Sequence, residues 1–291
     1  MSMKVKFIVN PKFGEEPTNI KIKTIKECFK NHDISFYITK DRKSTIEEVS
    51  ASKGFDIIVS VGGDGTLNEV VNGVMKLRKK PIIGIVPYGT SNVFATELNI
   101  PIDTREACKK ILQKKPRKID IGVVNDKYYF VMWSTIGLDA LISKHVDENN
   151  EDKKTLGRIA FFLYGALDVF NYYNPTRLSV KLDTGYKGKG NYIIVANGSH
   201  YAGDYLLNPN SSIDDGYFDI LLLKGNNPLS IIKYVFGVIS GAHRSFRDIT
   251  RKRAKSVEVS FLRPVWMHID GEPFKITEYK AKIIPKALEF L

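Results

Sequence analysis

The first third of the chain alternates short apolar runs with segments in which apolar residues recur at helical spacing. Residues 56–61 (DIIVSV) and 81–86 (PIIGIV) are nearly all apolar, as expected of strands that are buried on both faces of a sheet. Strands are also predicted at 4–10 and 35–39, and the helical segments are 20–30, 45–52, 68–77 and 105–113. Strands separated by helices indicate βαβ units, and therefore an α/β domain with a parallel sheet and right-handed crossovers.

The pattern changes after about residue 116, where most apolar segments become short and are joined by turn residues. The predicted strands are 118–124, 127–134, 176–182, 192–197, 217–224, 256–261, 266–269 and 281–285. Two helical segments, 156–172 and 228–240, interrupt them. The sequence therefore predicts a first domain over 1–122 and a second, mainly antiparallel domain, a sandwich or barrel, over 123–285. The tail, 286–291, would return to the first domain.

Amino-acid composition limits the classes of partner and the cellular compartment that the protein is expected to have. The 291 residues include 44 basic and 32 acidic side chains, a net charge of +12, which favours nucleic acid, anionic lipid head groups or phosphorylated small molecules. The two cysteines, Cys28 and Cys108, have no C-x-x-C spacing, which excludes a disulfide scaffold and a cysteine-built zinc site and fits a reducing cytosol. We expect no signal peptide, and the apolar stretches are too short to span a bilayer, so a membrane role would be peripheral.

The strongest local signal is the segment 62–69 (GGDGTLNE), which follows a buried strand and opens a helix. Its glycines permit positive φ and close backbone approach, and a helix N-terminus offers N–H groups that suit phosphate. Asp64 would hold Mg²⁺ near those phosphates, and the Thr66 hydroxyl would donate to one of them. The alternative is a tight turn with a threonine cap. The spacing matches neither the Walker A nor the dinucleotide-binding pattern.

A second polar loop, 87–95 (PYGTSNVFA), follows the next buried strand. Its residues 89–92 are small and polar and precede a helical start, so a capped helix is the alternative interpretation. Loops that follow successive parallel strands lie at the same edge of the sheet, where ligands bind in α/β folds. The two loops together therefore favour a phosphate-binding edge.

These two segments, GGDGTLNEVVNG (62–73) and PYGTSNVFA (87–95), resemble the catalytic domain of diacylglycerol-kinase-type lipid kinases, which include bacterial soluble lipid kinases and sphingosine and ceramide kinases. The Gly-Gly-Asp-Gly-Thr element is also shared with NAD kinases and resembles a motif of phosphofructokinases. Further matching elements lie at 9–11, 136–140, 214–219 and 270–272, so the resemblance covers nearly the whole chain. It implies a nucleotide-binding α/β domain, a β-sandwich-like lipid-substrate domain and a cleft between them.

Site residues follow from the resemblance. The residues that would contact ATP are Asn10, Thr39, Gly62, Gly63, Asp64, Gly65, Thr66, Asn68, Glu69 and Thr90. Asn10 and Thr39 end the first and second predicted strands, so both reach the sheet edge that carries the glycine-rich loop. Asp64 is implied as a catalytic residue, and Glu272 as the general base that accepts the proton of the attacking hydroxyl. The alternative for Glu272 is a plain hairpin, because Asp-Gly is a strong turn signal.

Two magnesium ions are implied. One accompanies ATP and neutralises phosphate charge. The other, in bacterial members, is bound by an aspartate and two main-chain carbonyls, which correspond to Asp215, Ser212 and Tyr217 here. That ion would order the second domain, and the alternative at Asp215 is again a turn.

The sequence thus predicts an ATP-dependent lipid kinase that acts on diacylglycerol or a related lipid. A basic run over 244–255 predicts contact with an anionic membrane, against the alternative of a solvated face, and the expected location is cytoplasmic and peripherally membrane-associated. Nucleic acid is not an expected partner, and a homodimer stays open. The alternatives are a soluble-substrate kinase, such as one acting on NAD, and a non-catalytic nucleotide- or membrane-binding regulator.

Overall fold

The computed structural model describes residues 2–12, 17–113, 115–137, 176–201 and 203–291. The chain divides into two compact units, one of Met1–Ile121 with Pro285–Leu291 and one of Gly122–Ile284. The predicted helix 156–172 and residues 138–140 of the predicted motif lie outside the described residues.

The first unit alternates strands and helices, as the periodicity predicts. Its elements are β1 (Lys4–Val9), α1 (Thr18–Cys28), β2 (Asp33–Ile38), α2 (Arg42–Ala51), β3 (Ile57–Gly62), α3 (Asp64–Val74), β4 (Ile82–Pro87), α4 (Val93–Glu97), α5 (Thr104–Gln113) and the start of β5 (Arg117–Val124).

The strands pair in parallel in the order β2-β1-β3-β4, and every residue of β3 is buried. The end of the chain adds a further parallel neighbour, since Phe290 pairs with Ile83 and the Leu291 N–H donates to the Ile83 carbonyl at 3.0 Å. The ring of Phe290 also packs edge-on against Phe94 of α4, with 5.0 Å between centroids. All four of these strands therefore direct their carboxyl ends to one edge of the sheet.

The second unit consists mainly of short antiparallel strands. Its elements are the end of β5, then β6 (Tyr128–Phe130), β7 (Trp133–Ile136), β8 (Leu178–Leu182), β9 (Lys187–Gly190), β10 (Tyr192–Ala196), β11 (His200–Tyr201), β12 (Tyr205–Leu206), β13 (Phe218–Leu223), α6 (Pro228–Ser240), a 3₁₀ turn (Ala242–Ser245), β14 (Ile249–Ala254), β15 (Ser256–Ser260), β16 (Val265–Ile269), β17 (Glu272–Ile276) and β18 (Tyr279–Phe290), whose last residues belong to the first unit.

Two sheets form the sandwich that the sequence predicts. One has the order β14-β13-β10-β7-β16-β17, and the other contains β18-β15-β8-β9. Alternate residues such as Ile193 and Val195 of β10 enter the core that Val180 and Val257 also line. Ile194 lies in a second, smaller cluster with Tyr234 of α6. Because β10 has apolar neighbours on both faces, its sequence is an apolar run without alternation.

Some strands differ from the predicted ones. The predicted strand 127–134 is interrupted at 131–132, where side chains take three of the four backbone hydrogen bonds. Asp270 accepts from the Val131 and Met132 N–H groups and the Asn197 amide donates to the Val131 carbonyl, while the Asn197 N–H donates to the Met132 carbonyl. The strands β9, β14 and β17 were not predicted. β14 and β17 lie at the two ends of their sheet and β9 at the end of the other, where exposed side chains remove the apolar periodicity.

Among the described residues, none of the helices is both long and apolar enough to cross a bilayer.

Candidate active site

The first glycine-rich loop is a direct junction between β3 and α3, with Gly63 as the N-cap at φ −90°. A β-carbon on Gly62 would lie 2.4 Å from Oγ1 of Thr66, so the first glycine makes room for that side chain. Neither Gly62, Gly63 nor Gly65 has positive φ. These glycines therefore do not use the positive φ that glycine permits, and close approach is the reason for Gly62 and Gly63.

The second loop closes on itself between β4 and α4. The Gly89 N–H donates to Oδ1 of Asn92 at 2.9 Å, and Nδ2 of Asn92 donates back to the Gly89 carbonyl at 2.6 Å. Asn92 adopts the left-handed conformation at φ 46°, which asparagine tolerates better than most residues. This paired contact uses the Asn92 side chain within the loop, so the first N–H groups of α4 need another acceptor.

Asp64 is that acceptor, and it joins the two loops. Its Oδ2 accepts from the Val93 N–H at 3.0 Å and its Oδ1 from the Phe94 N–H at 3.1 Å. The Tyr88 N–H also donates to the Gly62 carbonyl at 2.9 Å. A carboxylate at the start of a helix satisfies N–H groups that have no partner within the helix. The aspartate predicted to hold magnesium thus has a structural contact as well.

Two of the predicted ATP contacts meet at this edge. Nδ2 of Asn10 donates to Oγ1 of Thr66 at 3.1 Å, and the Asn10 N–H donates to the Val61 carbonyl at 3.0 Å. The half-buried Thr39 follows β2, with its N–H bonded to the Val9 carbonyl at 2.8 Å. The ends of β1, β2 and β3 therefore bring these polar residues to one edge.

The other predicted contacts have different surroundings. Asn68 is fully buried on α3, where its Oδ1 accepts from Nη2 of Arg42 at 2.7 Å and from Nδ2 of Asn72 at 3.0 Å. Glu69 is half-buried on the same helix, and Thr90 is exposed at the tip of the second loop. Arg42 was missed because it opens α2, where a basic residue is ordinary surface composition.

A buried lysine supports the second loop, and no sequence signal pointed to it. Lys21 of α1 is 4% exposed. Its Nζ donates to Oγ1 of Thr104 at 2.7 Å and lies 4.4 Å from the ring centroid of Tyr88. A cation over an aromatic face is attractive, and more so when water is excluded. The contact fixes the residue just before Gly89.

Glu272 is the first residue after a two-residue hairpin loop between β16 and β17, and it pairs with Ile269. Asp270 and Gly271 both have positive φ, 47° and 92°, as a type I′ turn requires. The hairpin and the catalytic interpretation are therefore compatible: Asp-Gly makes the turn, and Glu272 stands at its end, half-buried.

The Asp270 carboxylate anchors this hairpin. It is 4% exposed and accepts three backbone N–H groups, from Val131 at 2.9 Å, Met132 at 2.9 Å and Trp133 at 3.1 Å. The Asp270 N–H in turn donates to the Trp133 carbonyl at 3.0 Å. Glu272 thus follows a turn whose position is set by four hydrogen bonds, and such a turn can hold a carboxylate in a fixed position.

The predicted second magnesium site lies in one loop. The Tyr217 N–H donates to Oδ1 of Asp215 at 3.0 Å, and the Asp215 N–H approaches the Ser212 carbonyl at 3.4 Å. Carboxylate and carbonyl oxygens are ligands that suit Mg²⁺. However, Oδ2 of Asp215 is 2.5 Å from Nη2 of Arg253, and Nε of the same guanidinium lies 3.9 Å from Oδ1 of Asp219. An ion there would share the Asp215 carboxylate with this guanidinium or displace it.

Within the described ranges, no group of three or more histidine, cysteine, aspartate or glutamate side chains is placed to hold a metal ion.

The chain matches two known family models, one for each half. Residues 4–124 match the model described as diacylglycerol kinase catalytic domain, and residues 133–291 match the model described as YegS C-terminal NAD kinase beta sandwich-like domain. The chain belongs to the diacylglycerol kinase family.

Curated relatives in the diacylglycerol kinase family cover most of the chain. A protein named diacylglycerol kinase from Bacillus subtilis is 30% identical over 278 residues, which are 92% of this chain and 89% of the relative. A protein of the same name from Staphylococcus aureus is 28% identical over 94% of this chain and 87% of its own length. A solved structure, a putative diacylglycerol kinase from Bacillus anthracis, has a TM-score of 0.81 at 24% identity, covering 99% of this chain and 96% of that one. This last similarity supports the fold.

Proposed function

We propose that the protein is an ATP-dependent lipid kinase that transfers the γ-phosphate of ATP to a hydroxyl of diacylglycerol or a related lipid. The observation that carries the proposal is the joined pair of loops at the carboxyl edge of the parallel sheet, in a member of the diacylglycerol kinase family. Asp64 locks the loops together, so their backbone is rigid before a nucleotide binds.

ATP would bind along this edge, in contact with residues 62–66, Glu69, Asn10, Thr39 and Thr90, whereas the fully buried Asn68 would act only through its neighbours. The Asn10–Thr66 hydrogen bond holds the Thr66 hydroxyl in place at the first turn of α3, where N–H groups and the helix dipole favour phosphate. Magnesium bound with ATP would neutralise charge on the β- and γ-phosphates, with Asp64 as its nearest proposed carboxylate. Asp215, with the Ser212 and Tyr217 carbonyls, is proposed as the second magnesium site.

Glu272 is proposed as the general base. It would accept the proton of the lipid hydroxyl while that oxygen forms a bond to the γ-phosphorus, and the bond from phosphorus to the β–γ bridging oxygen breaks to release ADP. A base of this kind contributes about 10²- to 10⁴-fold in rate. The hydrogen bonds at Asp270 support the proposal because they fix the turn that carries Glu272.

The location we propose is cytoplasmic, with peripheral contact to an anionic membrane. ATP as co-substrate and two unpaired cysteines are compatible with a reducing cytosol. A lipid hydroxyl is presented at a membrane surface, and the net charge of +12 favours an anionic one.

The test is the transfer of labelled γ-phosphate from ATP to an extracted lipid mixture, with wild type, Glu272→Gln and Glu278→Gln side by side. Glu278 is an exposed glutamate on the turn after β17 and serves as the matched control. We expect a labelled lipid with wild type and Glu278→Gln, and at least about a hundredfold less with Glu272→Gln at unchanged ATP affinity.

Other outcomes would reject the proposal in whole or in part. Labelled NADP from NAD, without labelled lipid, would identify a soluble-substrate kinase. ATP binding without any transfer would identify a regulator. Full activity of Glu272→Gln would leave the kinase assignment standing and reject Glu272 as the general base.

A further inference from the structure

Helix α6 is fixed to the second unit along one face. Ile231, Tyr234 and Gly237 are buried there, and a β-carbon on Gly237 would lie 2.4 Å from the ring of Phe246. The Tyr234 hydroxyl donates to Oδ2 of Asp248 at 2.7 Å. Both ends of the helix are capped. At the start, the Asn227 side chain accepts from the Ser230 N–H and Pro228 occupies the first turn. At the end, Gly241 adopts the left-handed conformation.

The opposite face of α6 is apolar too, and it is exposed. Leu229 is 74% exposed, Phe236 66% and Ile239 40%. The spacings of seven and three residues place them on one side of the helix, turned away from the buried face. Surface helices normally carry polar residues on that side, and a helix that is apolar all round is normally covered. Exposed apolar stripes of this kind mark interaction sites.

The charge around α6 indicates what covers it. Residues 226–255 contain seven basic side chains and one acidic side chain, Asp248. Asp248 is itself held by Lys233, with 2.6 Å between Nζ and Oδ2. Arg244 lies in the 3₁₀ turn directly after the helix, and Arg247 follows it, both exposed. The partner must therefore combine an apolar interior with a negatively charged surface.

We propose that the outer face of α6, formed by Leu229, Phe236 and Ile239, docks on an anionic lipid bilayer together with Arg244 and Arg247, which follow the helix in the chain. The apolar side chains would enter the boundary of head groups and acyl chains, while the arginines contact anionic head groups. A second copy of this chain is a poorer occupant, because a two-fold dimer sets the same patch against itself and would oppose basic residues to basic residues. The biological role of this docking face rests on the proposed function, since a lipid kinase must reach a substrate that lies in a membrane.

The test is co-sedimentation of the purified protein with phosphatidylcholine vesicles, with and without phosphatidylglycerol. One variant, Leu229→Ser with Phe236→Ser, removes the apolar contact, and Leu262→Ser, a fully exposed leucine on the loop between β15 and β16, is its control. A second variant, Arg244→Gln with Arg247→Gln, removes charge, and its control is the exposed pair Lys187→Gln with Lys189→Gln on β9.

We expect wild type and both controls to bind the anionic vesicles, and binding to weaken as salt is added. The apolar variant should lose at least about tenfold in affinity. The charge variant should lose about 25-fold in affinity, at about fivefold for each of the two basic residues. All of these substitutions lie at exposed positions, so the folded state should be retained.

The proposal is overturned if wild type does not bind anionic vesicles, or if both variants bind as wild type does. It is also overturned if the apolar variant only dissociates a dimer, as measured by analytical ultracentrifugation, without weakening vesicle binding. Kinase activity on lipid dispersed in detergent micelles separates the two proposals. Both variants should retain that activity, whereas wild-type inactivity there, together with α6-dependent vesicle binding, would reject the kinase and keep the docking face.

Discussion

Gly63 and Gly89 meet backbone to backbone. A β-carbon on Gly89 would lie 2.5 Å from Cα of Gly63, and one on Gly63 would lie 3.1 Å from Cα of Gly89. The two glycines belong to the loops after β3 and β4, and the contact lies beside the Asp64 hydrogen bonds that tie the same loops together. The two loops are therefore joined by both contacts, and at the Gly63–Gly89 contact the space between them admits no side chain.

Adding a methyl group at this contact should separate the loops. The methyl group of Gly89→Ala would contact the Gly63 backbone, which cannot rotate away as a side chain can. We therefore expect a loss of about 1–3 kcal/mol in the free energy of unfolding and weaker ATP binding. Gly63→Ala makes the longer contact and should cost less in both measurements. Urea unfolding and titration with a fluorescent ATP analogue check the order. Equal effects of the two substitutions would contradict the close approach as the reason for these glycines.

Asp270→Asn tests the anchor of the Glu272 hairpin. Asparagine tolerates the left-handed conformation, but its amide nitrogen cannot accept, so one of three buried N–H groups loses its partner. We expect unfolding to become about 1–3 kcal/mol easier. The control is Asp126→Asn, also left-handed at φ 53° but exposed, which should change stability by less than about 0.5 kcal/mol. Identical urea midpoints for the two variants would disprove the anchoring role.

Arg253→Met tests the competition for Asp215. Since Nη2 of Arg253 lies 2.5 Å from the Asp215 carboxylate, removal of the guanidinium should strengthen the binding of Mg²⁺ at that site. We expect Mg²⁺ to raise the melting temperature of the variant by about 2 °C more than that of wild type. Arg177→Met, at an exposed position before β8, should behave as wild type. A magnesium response that Asp215→Asn leaves intact would show that the ion binds elsewhere.

Cys108 should resist alkylation in the folded protein. Burial, and then the neighbouring Cys28 thiol, raise the pKa of Cys108 to about 12, so its reactive thiolate is scarce at pH 8. Iodoacetamide should therefore add at most one group to the native protein and two in urea, as counted by intact mass. The variant Cys28→Ser should add none while folded. A native adduct on Cys108 would show that the thiol is accessible.

Asp248 should make stability depend on pH. Partial burial acts to raise the pKa of Asp248, but hydrogen bonds from Lys233 and Tyr234 outweigh it and hold the pKa below its usual value. A lowered pKa contributes stability above the pKa of the unfolded chain, and that contribution is lost as pH falls through the folded value. Asp248→Asn should cost about 1 kcal/mol or less at pH 7 and nothing at about pH 2, by urea unfolding. An undiminished difference in acid would contradict the ion pair as its cause.

The fold was predictable from the sequence wherever the pattern of apolar residues follows which positions are buried. The apolar runs of β3 and β4 and the helical periods between strands predicted the parallel sheet, and the α/β-plus-sandwich class is confirmed. The missed strands lie at sheet edges. β14 reads ITRKRA because three successive side chains face solvent, and β17 carries Pro273, which an edge strand tolerates.

The site was predictable as a set of loops but not as a set of contacts. Residue type and position after a strand identified 62–69 and 87–95, whereas Asp64 with Phe94 and Lys21 with Tyr88 are partners that only the tertiary structure brings together. Lys21 in particular belongs to a helix with mostly exposed polar residues, and only the fold buries its ammonium group against Thr104 of α5 and Tyr88 of the second loop.

The first unit takes its last strand segment, Pro285–Leu291, from the far side of the second unit in sequence. During synthesis, β4 is therefore complete about 200 residues before Phe290 and Leu291 leave the ribosome to pair with it. In that interval the nascent sheet has an unpaired strand at the very position that carries the second loop. The strand beside the second loop therefore gains its second parallel partner only after the whole second unit has been synthesised, and until then it presents an open sheet edge.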